Sequence, residues 1–464
     1  MKNQNRLPWE GFLLLALYIA LPSYLALELT AGLPLLTASR LLLVLAGVGV
    51  LLRNRSIKAI GKGLLLTAEK PLMICLFVYF ALLIGVNVTH MSRSSEGIKQ
   101  IFVVVAEEYG LAFVLTMLLN SRERVMQALK ILCVVSGVLG ILACVTVLFN
   151  YNIFHLLNTA GRNELVVRNF YRYGMLRPTA GFHHAVYYGA FCAVMLPIQM
   201  YFTEGEQTPK ARRFHAICTA LNLTGLVLSN SRGSQLAFVC LAGLIFFIRL
   251  YKRQLVQLFK TYIPIILIAV MITAIVFVAC PAGVQRIENA LQTQKPAATQ
   301  PTQPDETAEP TEPEETKPQI DTSFGENPDG LRSRFIQLSG ITYTLGISPV
   351  NGLGPNAHME GRVAYEYKTG KWAYLKTVDV NVVSIVIQYG LVGLVGFIAL
   401  YGSLAWTFLR KAHRSDPLMH HLFLAFVCYL LCSLSISGLD KWLWVFIGIT
   451  VALVNVMKGE REAC

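Results

Sequence analysis

Residues 262–280 read Tyr-Ile-Pro-Ile-Ile-Leu-Ile-Ala-Val-Met-Ile-Thr-Ala-Ile-Val-Phe-Val-Ala-Cys, without one charged side chain. A helix rises about 1.5 Å per residue, so a run of this length nearly spans a hydrocarbon core about 30 Å thick. No water is present there to bond backbone amides, and a helix satisfies them internally. The stretch predicts a membrane span.

Windows of about 20 residues find equivalent segments near 11–28, 33–52, 71–88, 99–119, 128–149, 184–203, 214–229 and 235–251 before it. Three more follow near 381–409, 420–437 and 442–457. The expected fold is an all-α polytopic membrane protein of about 12 transmembrane helices, with one large extracytoplasmic loop between spans 9 and 10. The chain has 464 residues, of which 54% are hydrophobic and 14% charged, with mean hydropathy +0.52. That composition excludes an ordinary soluble enzyme of this length.

The net charge of +13 suggests nucleic acid only until the charges are mapped. Arg53/Arg55/Lys58/Lys62, Arg122/Arg124, Lys210/Arg212/Arg213, Lys252/Arg253 and Arg410/Lys411/Arg414 follow every second crossing. By the positive-inside rule both termini are cytoplasmic. The partner of this charge is the lipid bilayer, with no nucleic acid. Eight of the ten cysteines, Cys75 through Cys432 apart from Cys280, fall inside apolar runs and read as small hydrophobes, not as a disulfide or metal framework. The first segment runs from Leu21-Pro22 into further apolar sequence and reads as a retained span.

Three regions result: 1–280 with spans 1–9, an extracytoplasmic loop at 281–379, and 380–464 with spans 10–12 and a short cytoplasmic tail. Within the loop, 293–317 (TQKPAATQPTQPDETAEPTEPEETK) has almost nothing to bury and is expected to be disordered. Helical spacing resumes at Leu331, Phe335, Leu338, Ile341 and Leu345. Arg334 falls within the arc of that stripe, expected to face the protein, and Arg332 falls about 120° from its centre. An arginine turned toward the protein needs an anion. In the fourth span, Glu107 and Glu108 are costly in lipid, and read either as a hydrogen-bonded structural pair or as part of a site.

Other outer segments repeat the arginine chemistry. The stretch before span 6 carries Arg162, Arg168, Arg172 and Arg177 and ends Arg177-Pro-Thr-Ala-Gly181-Phe182-His183-His184; the turn between spans 7 and 8 is Ser229-Asn-Ser231-Arg232-Gly233-Ser234. Outward arginines run against the charge bias that sets topology. A diphosphate at the membrane interface would account for them, since guanidinium binds phosphate oxygens in bidentate fashion and stays charged. Each one alone also reads as an anchor among lipid phosphates.

These motifs resemble, in order, those of the O-antigen ligase and O-antigen/exopolysaccharide polymerase family of bacterial membrane glycosyltransferases. The resemblance covers roughly Arg177 to Gly393: Arg-x-x-x-Gly-Phe at 177–182, Ser-Arg-Gly at 231–233, a helix bearing Arg334, Pro-x-x-Gly-x-Gly at 349–354, and Gly390-Leu-Val-Gly393. The family's closing His or Asp falls on Asp379, with Val380 at the following Asn position and Asn381 one place late. The ligase-type His is absent, which favours the polymerase-like side.

The resemblance implies transfer of a glycan from polyprenyl diphosphate to an acceptor hydroxyl at the outer face of the bacterial cytoplasmic membrane, without cofactor or metal. Its partners are a polyprenyl-diphosphate-linked glycan donor, a glycan acceptor and cell-envelope assembly proteins. Arg232, Arg334 and Asp379 are the expected catalytic residues. Arg177 joins Arg232 and Arg334 in binding substrate, with His184, His358, Gly352 and Gly354. A transporter or flippase for a lipid-linked or anionic solute is the alternative from another class, and would show internal repeats and broken helices at midplane. A scaffold whose outer loop binds a partner is the third reading.

Overall fold

The computed structural model describes residues 6–27, 35–54, 56–91, 96–159, 170–285, 320–321, 331–368, 371–375, 377–412, 416–437 and 440–463. The Pro/Thr/Glu tract at 293–317, Arg162, Arg168 and the side chain of Arg332 lie outside the described residues.

The chain begins with α1 (Trp9–Leu17), pairs β1 (Ala26–Leu27) with β2 (Leu36–Thr37), then continues with α2 (Ala38–Arg53), α3 (Ile57–Leu64) and α4 (Lys70–His90). Next come α5 (Glu96–Phe102), a π-helical turn over Val103–Tyr109, α6 (Gly110–Leu118) and α7 (Arg122–Leu148). A hairpin of β3 (Tyr171–Arg172) and β4 (Met175–Leu176) precedes α8 (Ala185–Gly205), α9 (Pro209–Leu228), α10 (Arg232–Tyr251) and α11 (Leu255–Ala279). After β5 (Ile320–Asp321) come α12 (Leu331–Gln337), α13 (Ser339–Ile347), β6 (Ala364–Lys368) and β7 (Lys371–Tyr374), and the chain closes with α14 (Asn381–Ala412), α15 (Pro417–Ser433) and α16 (Asp440–Ala463). Side-chain caps fix several starts: Ser121, Thr208 and Asp416 accept from backbone N–H groups at the heads of α7, α9 and α15.

Among the described residues, eight helical segments are long and apolar enough to cross a membrane. Of the twelve expected spans, α1, α2 and α15 are shorter, at 9, 16 and 17 residues. The fourth, α9, is long enough but less apolar, because it carries polar groups into the core. Asn222 on α9 donates to the Cys192 carbonyl at 2.9 Å and to Gln199 Oε1 at 3.0 Å, while Gln199 donates to the Ser136 hydroxyl at 2.7 Å. This network joins α7, α8 and α9 through buried polar side chains, leaving Asn222 Oδ1 without a partner among the described residues.

The intramembrane glutamates are also partnered. Glu107, on the π-helical turn, accepts from Arg40 Nε at 2.7 Å, and Glu108 accepts from the Tyr79 hydroxyl at 3.3 Å. The acidic pair is therefore held inside the bundle, away from lipid.

Two departures bear on the site. The apolar stripe expected over Leu331–Leu345 is split: helix breaks at Leu338, Phe335 and Leu338 are 71% and 45% exposed while Ile341 packs on the small core, and the buried face carries Gln337, Gly340 and Thr344. In a chain that lies against lipid, an apolar face has a favourable partner outside the fold, so burial pattern and hydropathy decouple. Arg334 does face inward, but on this polar side.

The second is α14, expected as one span over 381–409. Gly390 within it has φ 62° and ψ −156°, and the helix bends there. The backbone groups released by the break are taken up by the turn at 349–354: Leu391 and Val392 N–H donate to the Pro349 and Val350 carbonyls, and Leu353 and Gly354 N–H donate to the Ile387 and Gln388 carbonyls. Turn and break are thus one unit. A small sheet, with β7 antiparallel to β6 and parallel to β5, backs the turn with Leu353, Val363, Tyr365, Leu375 and Val378.

Candidate active site

The site is built on the turn between α9 and α10. The chain leaves α9 at Leu228, and Asn230 takes a left-handed φ of 50°. Arg177 Nε donates to the Ser229 carbonyl at 2.9 Å and Arg172 Nη1 donates to the Asn230 carbonyl at 2.8 Å. The Arg177–Phe182 segment and the Ser231-Arg232-Gly233 turn are therefore bonded to one another directly.

Arg232 opens α10 and donates through Nη2 to the Tyr173 hydroxyl on the β3–β4 hairpin. Gly233, next to it, lies against two other elements. A Cβ there would come within 2.1 Å of the Ser435 hydroxyl at the end of α15 and 4.0 Å of Arg334 Nη2. The missing side chain lets the end of α15 pack against the head of α10, with Arg334 within contact distance of the same point.

Arg177 is 7% exposed, yet its Nη2 has no hydrogen-bond partner among the described residues; the same holds for Arg334 Nε. No carboxylate pairs with Arg172, Arg177, Arg232 or Arg334 among the described residues. Burial, with Arg172 beside it, lowers the Arg177 pKa to about 10, which leaves it charged at neutral pH. The cluster is a concentration of positive charge with unsatisfied donors.

His184 sits at the edge of the same cluster. Its Nδ1 accepts from Val186 N–H at 3.0 Å and caps α8, and its ring packs 3.9 Å from that of Phe170. Burial, then Arg177 and Arg172, push its pKa down to about 4. It is a neutral imidazole at pH 7.

Asp379, just before α14, is held by Gln337, which lies one turn along α12 from Arg334. Gln337, 1% exposed, accepts from the Asp379 backbone N–H at 2.9 Å and donates to Asp379 Oδ2 at 3.4 Å. An amide of this kind holds a carboxylate in one orientation while leaving its other oxygen for a second partner. Asn381, just beyond, donates to the Tyr401 hydroxyl at 3.4 Å, which pairs with Tyr429 at 3.1 Å.

The remaining expected residues fall elsewhere. Gly352 and Gly354 have φ of 65° and 92°; a Cβ on the first would lie 2.6 Å from Gly390 N, and one on the second 3.0 Å from the His90 ring. They shape the turn by close backbone approach. His358 is half-buried next to Ala357 of the small core, its Nδ1 is without a partner among the described residues, and burial lowers its pKa. No arginine acts on it. Conversely, Gln337 and Tyr173 belong to no motif in the sequence, although Gln337 follows Arg334 at the i, i+3 spacing of one helix face.

Residues 217–398 match the family model described as O-antigen ligase. This stretch is an O-antigen ligase family domain. The O-antigen ligase segment contains Arg232, Arg334, the 349–354 turn, Asp379 and the Gly390 break, whereas Arg177 and His184 precede it. No curated protein matches the chain.

Proposed function

We propose that the protein transfers a glycan from a polyprenyl diphosphate to an acceptor hydroxyl, as a cell-surface polysaccharide polymerase or ligase of the bacterial cytoplasmic membrane. On this reading both termini are cytoplasmic and the arginine end of the bundle faces outward. The observation that carries it is the meeting of Arg177, Arg232 and Arg334 around one turn, unpaired by carboxylates among the described residues and with buried donors to spare.

The acceptor oxygen attacks the anomeric carbon and the bond from that carbon to the phosphate oxygen breaks. Its electron pair leaves with the diphosphate. Negative charge grows on the leaving group, so guanidinium groups fixed beforehand stabilise the transition state more than the ground state. The hydroxyl proton passes to the Asp379 carboxylate, held by Gln337. His184, neutral and with Nδ1 accepting from Val186 N–H, carries its proton on Nε2 and donates a hydrogen bond to substrate without adding charge. Exposed Phe335 and Leu338 near Arg334 on α12, with Ile347 and Val350 further along, give a polyprenyl chain an apolar surface to lie on.

The broken α14 favours a second reading, since transporters use discontinuous helices near the midplane. Transporters leave such breaks open to ligand; here the 349–354 backbone occupies it. Reconstitution in liposomes with a lipid-linked oligosaccharide tests both. Elongation or transfer that is lost in Arg177→Ala, Arg232→Ala and Arg334→Ala supports the transferase, and full activity in all three overturns it. Movement of the donor across the bilayer without a new glycosidic bond supports the transporter.

A further inference from the structure

At the end of the bundle opposite the arginine site, a cleft of about 320 Å³ opens between α8, α10 and α15. Its walls are graded. On α10, Ile245, Ile248, Arg249 and Lys252 follow one face at i, i+3, i+4 and i+7, running from apolar to basic toward the helix end. On α15 the order repeats from the end inward as Pro417, His420, His421 and Leu424, and α8 supplies Met200 and then Glu204. The cleft thus has an apolar floor toward the middle of the bundle and a polar rim at its end.

The rim is already partly neutralised. Glu204 is paired with Arg249 at 2.5 Å and accepts from the Tyr262 hydroxyl at 2.8 Å. Asp416 is paired with Arg122 at 3.1 Å and caps α15 by accepting from Leu418 N–H at 3.0 Å. The side chains of Lys252 and His420 line the same cleft with no ion-pair or hydrogen-bond partner among the described residues. With both carboxylates matched by arginines, Lys252 leaves one positive charge uncompensated and His420 adds a ring nitrogen able to donate.

We propose that this cleft binds one anionic amphiphile, a phospholipid whose phosphodiester headgroup is held by Lys252 and His420 and whose acyl chain lies on Ile245, Ile248, Met200 and Leu424. A singly charged phosphodiester matches the single excess cation, and the apolar floor distinguishes a lipid from free phosphate. The same three helices carry the arginine site at their other ends: α8 begins beside His184, α10 begins at Arg232 and α15 ends near Ser435, against Gly233. A lipid seated here therefore braces the helices that position the arginines. The site does not depend on the transferase reading.

Intact protein in nanodiscs tests it, comparing pure phosphatidylcholine with phosphatidylcholine containing phosphatidylglycerol, by thermal stability and by native mass spectrometry of retained lipid. The wild type is expected to retain phosphatidylglycerol, and Lys252→Gln combined with His420→Gln to weaken retention about fivefold or more, as for loss of one basic group at an anionic headgroup. Lys252→Glu is expected to weaken it further with unchanged gel-filtration behaviour. Equal retention of both lipids by the wild type, or phosphatidylglycerol retention that survives in the double variant, overturns the proposal. Stabilisation by inorganic phosphate alone that is lost in the double variant also overturns the lipid as occupant, leaving a plain anion site.

Discussion

Asn381 and Tyr401 are twenty residues apart, and their side chains meet at 3.4 Å within what hydropathy reads as a single helix. A straight helix would separate them by about 30 Å along its axis. The bend at Gly390 folds the first limb of α14 back along the second, and it brings Asn381 beside Tyr401 and, through it, Tyr429 of α15. Gly390 and Gly352 make this bend together, each occupying the space where the other's Cβ would stand.

Replacing either glycine is therefore expected to damage the same unit. Gly390→Ala meets the Val350 carbonyl at 2.4 Å and forces a side chain into a positive φ of 62°. Strain of that conformation alone costs about 1–2 kcal/mol, and the collision adds to it. Thermal unfolding in detergent should drop for Gly390→Ala and for Gly352→Ala, with the double variant losing less than the sum of the two. Strict additivity would indicate that the two glycines act separately.

Gln337 should matter to the reaction through Asp379. Gln337→Ala removes the hydrogen bond to the Asp379 carboxylate and the one that fixes the Asp379 backbone, and is expected to lower kcat about tenfold with little change in KM for the donor. Asp379→Asn should lower kcat more, about 10²–10⁴-fold, as for loss of a positioned base. The split between kcat and KM, measured with a lipid-linked oligosaccharide, separates positioning from binding. An Asp379→Asn enzyme with normal kcat would remove Asp379 from the chemistry.

Much of this was legible in the chain. Uncharged runs such as 262–280 declare a helical membrane protein because lipid leaves the backbone no other partner, and arginines at 177, 232 and 334 stand out against the charge bias. The Gly390 break was hidden, since apolar residues flank it on both sides and hydropathy does not register φ. The outward stripe of Phe335 and Leu338 was misread for a related reason: in lipid, apolar periodicity marks either face. Glu107 gave no hint that its partner is Arg40, sixty-seven residues earlier, because ion pairs between helices carry no local pattern.

The three arginines are not expected to behave alike. Arg177 is buried and bonded to Ser229, so Arg177→Ala is expected to loosen the α9–α10 turn as well as to remove the proposed donor to substrate. Arg232→Ala and Arg334→Ala should keep the melting temperature and lose about 10²–10³-fold in rate. Arg334→Lys should recover only part of that, because an ammonium cannot reproduce the planar fork. Circular dichroism melts beside transfer assays check this, and a stable, fully active Arg334→Ala would place Arg334 outside the site.

His184 predicts the acid limb of the stability profile. Its folded pKa of about 4 lies below the ordinary value of 6.5, so the folded protein binds fewer protons than the unfolded chain between those pH values. Stability from this group is complete above pH about 6.5 and is lost as pH falls toward 4. His184→Gln, which keeps an acceptor near Val186 N–H but does not titrate, should flatten that limb while leaving stability at pH 8 almost unchanged. A diphosphate bound by Arg177 would offset the repulsion that helps hold the imidazole neutral, so donor lipid should raise the His184 pKa. Histidine titration by NMR, with and without donor, reads this directly, and an unmoved pKa would mean that the diphosphate does not lie beside Arg177.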